Sequence, residues 1–409
     1  VVGSKYECTW DTNRSASIVG DECPLGGGNA GGTVLGATTA DTICVVSHGG
    51  VSDEEAEMFA DGAPSIPATF PPQASFPNLT QNKFFGVVFQ PVITEDVYRE
   101  LQHEQFTGTD CDPVVYDLEI NPLKTAAGGP TLHDLNGDGV ISGAEPVPAT
   151  KFSDTNPECQ PTLTEAAVRS ILDKEIDNWN DMLNKTAESG SGFGAMGVCR
   201  RTPGSGTQAA YHAYFMDDPC GANPIQGAAR PFVTEAGDTG GLFFVSENSS
   251  SGKVIDCMDE MFDGTRFGAQ IGSIGVQSVE KQPEHGVAWT DPAFNHWDFV
   301  KLNGINSGLT TGLEVENVLD GTYEFWYENS FHWNTGTCTG DCLDAMSMIA
   351  SNGAEATFIY QAGGTGLAGV VALHGNGAND WKNWNPASEQ PVSRATRGGN
   401  SCRGVFLNK

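Results

Sequence analysis

The run Gly197-Val-Cys-Arg-Arg-Thr-Pro-Gly-Ser-Gly-Thr207, continuing into Gln208-Ala-Ala-Tyr-His-Ala-Tyr-Phe-Met216, constrains this chain more than any other segment, because it reads as strand, glycine loop and helix start. Such a junction is suited to hold an anion. The first N–H groups of a helix lack intrahelical partners, the macrodipole places partial positive charge there, and Gly204 and Gly206 let an oxyanion approach the main chain. Ser205 and Thr207 add hydroxyl donors, and Arg201 can supply a bidentate guanidinium fork. The competing reading is that glycine and serine serve only as turn and cap residues.

At 409 residues the chain is long enough for two lobes or two domains. Its 52 acidic against 21 basic residues give a formal charge of −31, which argues against nucleic acid or an anionic membrane surface as partner. That charge does not forbid a buried anion site made of backbone dipoles and one or two arginines. Eleven cysteines without paired CxxC spacing point to an oxidising compartment and structural disulfides, one thiol being left over or pairing between chains. Cys8 with Cys23, Cys111 with Cys159 and Cys338 with Cys342 are the local pairs expected from loop composition. A start at Val1 without a leader-like segment fits a mature secreted protein, extracellular or periplasmic, and no run approaches the roughly twenty apolar residues of a membrane-spanning helix. Asn13, Asn78, Asn184 and Asn248 head glycosylation triplets.

Residues 1–40 are glycine-rich without helical period, and Thr42–Val46 reads as a short strand. Ser47–Asp53 then reads as a loop, with a helix starting at Glu54, giving a second strand, loop and helix junction. Phe84–Phe89 reads as a buried strand, and residues 103–161, rich in Asp, Gly, Pro and Asn, as an insertion. Thr162-Leu-Thr-Glu165 has capping-box spacing, and Val168, Leu172, Ile176 or Trp179, and Leu183 fall on one helical face. Leu343–Ala350 reads as another amphipathic helix, and Gly363–Leu373 as a buried strand or loop-strand.

Within the insertion, Asp134-Leu-Asn136-Gly-Asp138-Gly139-Val140-Ile-Ser142-Gly-Ala-Glu145 fills every diagnostic position of an EF-hand calcium loop. Asp134, Asn136 and Asp138 supply hard oxygens, Gly139 permits the turn, Val140 offers its carbonyl, Ser142 reaches the ion directly or through water, and Glu145 closes the sphere. The prolines at 130, 146 and 148 leave no room for the long helices of a calcium sensor, so the expected ion is static and structural.

These segments resemble, in order, the phosphate-binding proteins of ABC transporters. Leu163–Asp181 is similar to that family's helix ending in a tryptophan turn, and Arg201-Thr-Pro-Gly-Ser-Gly-Thr207 to its anion loop. Ile271–Val276 is similar to a following strand, while Lys301–Ile305 and Asn317–Trp326 resemble its late hairpin and return strand. The resemblance implies an α/β, two-lobe periplasmic-binding-protein type II fold with a calcium-loop insertion. Residues 1–90 would form the first part of lobe 1, 91–276 lobe 2 with the 103–161 insertion, and 277–409 the return to lobe 1 and a C-terminal extension. It further implies a non-catalytic binder of inorganic phosphate or a similar oxyanion. Arg201, Ser205, Gly206 and Thr207 would face Ser52 and Asp53, with Gly3 and Ser4 in a first contact loop, and an ABC transporter permease as partner. Pro203 departs from the family, many of whose members carry aspartate two places after the arginine; a proline offers neither an acceptor side chain nor an N–H.

The rival class is an extracellular structural or adhesive protein, a surface-layer or filament subunit that self-associates through calcium. A serine hydrolase lacks its G-x-S-x-G elbow, although His48-Gly-Gly50 has the look of an oxyanion loop. Zinc chemistry lacks HExxH, with His285, His296, His332 and His374 scattered. Trp289, Trp297, Phe325-Trp326-Tyr327 and Trp333 are expected in core strands rather than on a carbohydrate face.

Overall fold

Residues 7–10, 41–44, 49–52, 78–109, 111–112, 157–183, 194–202, 205–217, 220, 243–284, 294–309, 315–363, 369–373 and 383–407 are described in the computed structural model, and they form a mixed α/β protein. In chain order come β1 (Glu7–Trp10), β2 (Asp41–Cys44), β3 (Gly49–Ser52), β4 (Leu79–Thr94), α1 (Glu95–Phe106), β5 (Thr162–Leu163), α2 (Glu165–Leu172) and α3 (Trp179–Met182). There follow β6 (Met196–Arg201), α4 (Gly206–Met216), β7 (Phe243–Asn248), α5 (Ser251–Phe262), β8 (Gly272–Ser278), β9 (Trp297–Phe299) and β10 (Lys301–Leu302). The chain continues with α6 (Glu316–Leu319), β11 (Trp326–Asn334), α7 (Asp341–Asn352), α8 (Ala356–Gly363), β12 (Val370–Val371), β13 (Ala395–Thr396) and β14 (Phe406–Leu407).

The main sheet runs β3-β11-β4-β8-β6-β7, with β9 and β12 also on β4. The 16-residue β4 organises it. Residues 79–88 pair antiparallel with β11, whereas Phe89–Ile93 pair antiparallel with β8 and Val92–Thr94 with β9. Its first half alternates in burial and its second half is wholly buried, so one strand serves a one-sided region and then a two-sided one. Its Phe89, Val92 and Ile93 belong to one buried cluster with Trp297, Phe299, Phe325 and Tyr327. Of the aromatics expected in core strands, Trp297 of β9 and Trp326 of β11 are fully buried and Tyr327 and Trp333 of β11 nearly so, while Phe325, equally buried, precedes the strand and Trp289 lies outside the described residues.

β8, β6 and β7 are mutually parallel, linked through α4 and α5. The chain steps from β6 outward to β7 and then back across β6 to β8. With right-handed crossovers, that reversal puts α4 and α5 on opposite faces and leaves a crevice at the carboxyl ends of the strands. Side-chain alternation agrees: Cys199 is disulfide-bonded to Cys257 of α5, while Arg200, the next residue, lies toward Tyr211 of α4. A Cβ at Gly197 would run into Met261 Sδ, so glycine there lets α5 lie close on β6.

Several local expectations change. Gly49–Ser52 forms a strand, with Ser52 opposite Ser330 of β11, where the sequence predicts loop over Ser47–Asp53; pairing with a long neighbouring strand outweighs a glycine-rich local signal. The helix after the insertion is capped by Thr164, whose hydroxyl accepts from Ala167 N at 3.1 Å, and not by Thr162. Thr162 is held in β5, parallel to β10. The single helical face expected to run to Leu183 is divided between α2 and α3, with Lys174 at φ 60° in the break. Val168, Leu172, Trp179 and Leu183 are nonetheless buried and Ile176 partly so, and Trp179 Nε1 donates to Gly272 O at 2.6 Å. Residues 103–106 belong to α1 rather than to the insertion. The expected hairpin at 301–305 is present, turning through Asn303 (φ 54°) and Gly304 (φ 80°), as a two-residue type I′ turn requires. In the segment 317–326, α6 comes first and the return strand begins only at Trp326.

Of the expected disulfides, Cys111–Cys159 and Cys338–Cys342 form; Cys8 and Cys23 lie outside the described side chains. Two further bonds join segments distant in sequence, Cys199–Cys257 and Cys220–Cys402. The three remaining cysteines, Cys8, Cys23 and Cys44, all precede residue 45. No described helix is long and apolar enough to cross a membrane.

Candidate functional site

At the carboxyl ends of β6 and β7 the structure brings two helix N-termini together. Ser205 caps α4, its hydroxyl accepting from Gln208 N at 3.4 Å, and Ser250 caps α5, accepting from Lys253 N at 3.1 Å. The amides of Gly206 and Thr207 head α4, where no intrahelical acceptor exists, and Thr207 is buried. Both dipoles therefore put their positive ends at this edge of the sheet.

Arg201 lies between them. Its Nη1 donates to Ser251 Oγ at 2.8 Å and its Nη2 to Ser249 O at 3.3 Å, while its backbone N–H donates to Gln208 Oε1 at 3.0 Å. One residue thus tethers the start of α5 through its side chain and the first turn of α4 through its main chain. Gln208, fully buried, passes the contact on to His212 Nε2 at 2.8 Å. On the far side Gln277 of β8 donates to Ser251 O at 2.9 Å.

Beneath lies a second arginine. Arg200 has a side chain wholly removed from solvent; its Nη2 pairs with Glu247 at 2.8 Å and its Nη1 donates to Arg201 O at 3.1 Å. Asn248 Nδ2 donates to the Arg200 carbonyl at 3.1 Å, tying the ends of β6 and β7 together. The same bond buries the Asn248 amide, so this glycosylation triplet is closed to modification. Burial raises the Tyr211 phenol above its usual pKa, against the lowering effect of the Gln208 hydrogen bond and the Arg200 charge. Tyr211 is therefore a neutral donor across the physiological range.

The structure brings Arg201, Ser205, Gly206 and Thr207 to one edge. It places Ser52 in β3, with β11, β4 and β8 between it and β6. Asp53, Gly3, Ser4, Pro203 and Gly204 lie outside the described residues, as does the whole run from Asp134 to Glu145. Among the described residues no cluster of three or more His, Cys, Asp or Glu is arranged to hold a metal. His296 and His332 are internal: His296 stacks on Phe262 and meets Glu95 at 3.2 Å, and His332 is buried beside Ser330. Sequence reasoning misses Arg200, Ser249, Ser251 and Gln277. A signal for the serines exists, because Asn248-Ser-Ser-Ser-Gly-Lys253 repeats the strand, cap and helix grammar of 201–208.

No protein-family model and no curated protein matches the chain. Among solved structures, similar ones include a protein assigned as a phosphate ABC transporter substrate-binding protein from Clostridium perfringens, with phosphate bound (11% identity, 74% of this chain and 72% of that one, TM-score 0.36). Another is an ABC-type phosphate transport receptor from Vibrio cholerae (8% identity, 75% and 74%, TM-score 0.33). A third is the ancestral soluble variant of the human phosphate binding protein (9% identity, 88% and 78%, TM-score 0.34).

Proposed function

We propose that this protein captures a small oxyanion, with inorganic phosphate the leading candidate, at the carboxyl ends of β6 and β7, and releases it unchanged. The observation that carries the reading is the convergence of two serine-capped helix N-termini on one guanidinium, Arg201. Backbone amides, hydroxyls and a charged fork stabilise an anion without supplying a nucleophile or a base poised to transfer a proton. On this reading the chain is a two-lobe binding protein of the periplasmic type II class, secreted and handing its ligand to an ABC transporter permease. Residues 91–276 would form one lobe, and 1–90 with 277–409 the other. The change of partners along β4 supports the two lobes, and the four disulfides among the described residues support secretion. The loop from Asp134 to Glu145 would hold a structural Ca2+ inside the segment closed by Cys111–Cys159.

Pro203 deepens the proposal. With no acidic acceptor at that place the site cannot take a hydrogen bond from a protonated oxyanion there, so sulfate should bind within about tenfold of phosphate. Calorimetric titration with inorganic phosphate, arsenate and sulfate tests the class of ligand. Arg201→Ala should weaken phosphate binding about a hundredfold, since two charge-assisted hydrogen bonds of roughly 1.5 kcal/mol or more each are lost. Arg201→Lys, which keeps charge but loses the fork, should fall between. Absence of binding by any of the three oxyanions to the unaltered protein refutes the reading.

A further inference from the structure

A polar cavity lies in the other half of the sheet, where β4 and β11 fall out of register. Glu328 pairs with Gly86 and Ser330 with Lys83, so Phe84 and Phe85 of β4 together oppose the single residue Asn329. That is a β-bulge, a feature that bends a strand and re-aims side chains. Above it is a cavity of about 170 Å³ lined by Gln81, Lys83, Glu328, Asn329, Gly398 and Gly399. This volume is far beyond that of a single water and admits a solute of roughly half a dozen heavy atoms.

The lining is chemically lopsided in an informative way. Glu328 is nearly fully buried, its carboxylate held by the Thr396 hydroxyl, Arg397 N at 3.1 Å and Gly399 N. Gly398 and Gly399 adopt φ 71° and 72°, which lets the chain curl around that carboxylate. A carboxylate has about four lone-pair sites, so one remains for a further donor. Arg397 does not supply it: its guanidinium donates to Trp326 O at 2.8 Å and to two other carbonyls, and stacks over Tyr327. Lys83, half-buried on the same wall, has no ion-pair partner among the described residues.

We propose that this cavity binds a small zwitterion of the α-amino-acid class. The ligand carboxylate meets the Lys83 ammonium, and its ammonium meets the Glu328 carboxylate. A plain anion satisfies Lys83 but faces Glu328 with like charge; a plain cation does the reverse. The proposal stands apart from oxyanion capture at Arg201 and survives if that reading fails.

Calorimetry of the full chain with L-serine, acetate and ethylammonium as separate probes decides it. L-serine should bind at least about tenfold more tightly than either singly charged probe, because each lacks one of the two charge contacts. Lys83→Met and Glu328→Gln should each weaken L-serine about tenfold or more, with circular dichroism melts showing the variants folded. Overturning results are no L-serine binding, acetate binding as tightly as L-serine, unchanged affinity in Lys83→Met, or displacement of L-serine by inorganic phosphate.

Discussion

Removing disulfides one at a time should destabilise the protein in an order set by the loops they close. A cross-link limits the unfolded ensemble, and the loop-closure estimate grows with the logarithm of loop length. For separations of 4, 58 and 182 residues, found in Cys338–Cys342, Cys199–Cys257 and Cys220–Cys402, it gives about 2, 4 and 5 kcal/mol. Burial modifies this order at one place. Cys199 and Cys257 are within 1% of full burial, so a double alanine variant there also removes packed sulfur from between β6 and α5. The Cys199→Ala/Cys257→Ala loss should therefore equal or exceed that of Cys220→Ala/Cys402→Ala, where Cys402 is exposed. Against a total stability of about 5–15 kcal/mol, either is a large fraction.

Equilibrium urea unfolding followed by tryptophan fluorescence reads the effect, since Trp179, Trp297 and Trp326 are fully buried. A fall in midpoint at constant m assigns the loss to stability; a changed m points to a more compact or more open denatured state. Equal losses for the 4-residue and 182-residue bonds would refute the loop-entropy reasoning. A loss below about 1 kcal/mol for the buried pair would show that packing alone seats α5 on β6.

Other outcomes follow from single groups. Burial raises the Asp96 carboxyl above its ordinary 3.8 despite hydrogen bonds from Thr94 and Val97. The fold thus holds this proton more tightly than the unfolded chain does, and the resulting stability is present at low pH and lost as pH rises through the folded value. Asp96→Asn should accordingly melt higher than the parent at neutral pH, the gap closing as pH falls toward 3.8; a gap independent of pH would disprove it. For the calcium loop, adding Ca2+ to chelator-treated protein should raise the melting temperature, and Glu145→Gln should remove most of that rise by taking away the closing carboxylate. An unaltered protein indifferent to Ca2+ would remove the ion from the account.

The parts of this molecule legible in the sequence are those whose causes are local. The 197–216 junction shows itself because strand, cap and helix follow within one stretch, and the Asn303-Gly304 hairpin because two residues dictate a turn. The strand at Gly49–Ser52 is not legible in that way: it forms because β11 lies beside it, a partner more than 270 positions away whose register no local window contains. The same limit hides Cys199–Cys257 and Cys220–Cys402, while the shorter-range bonds Cys111–Cys159 and Cys338–Cys342 are foreseeable.

Both candidate sites obey this division. Arg201 is found from its own loop, but its partner Ser251 is supplied by the next crossover, so the sequence reveals half of the constellation. The cavity at Asn329 has no local mark at all. It exists because β4 carries one residue more than β11 between two paired positions, and because residues 396–399 fold back to hold Glu328. A bulge is a mismatch between two strands, and neither strand read alone contains it. Shortening β4 by deleting Phe85 would restore register and close the cavity, and L-serine binding should vanish while urea unfolding still reports a cooperative fold. Retained L-serine binding in that deletion would separate the cavity from the bulge and break the argument.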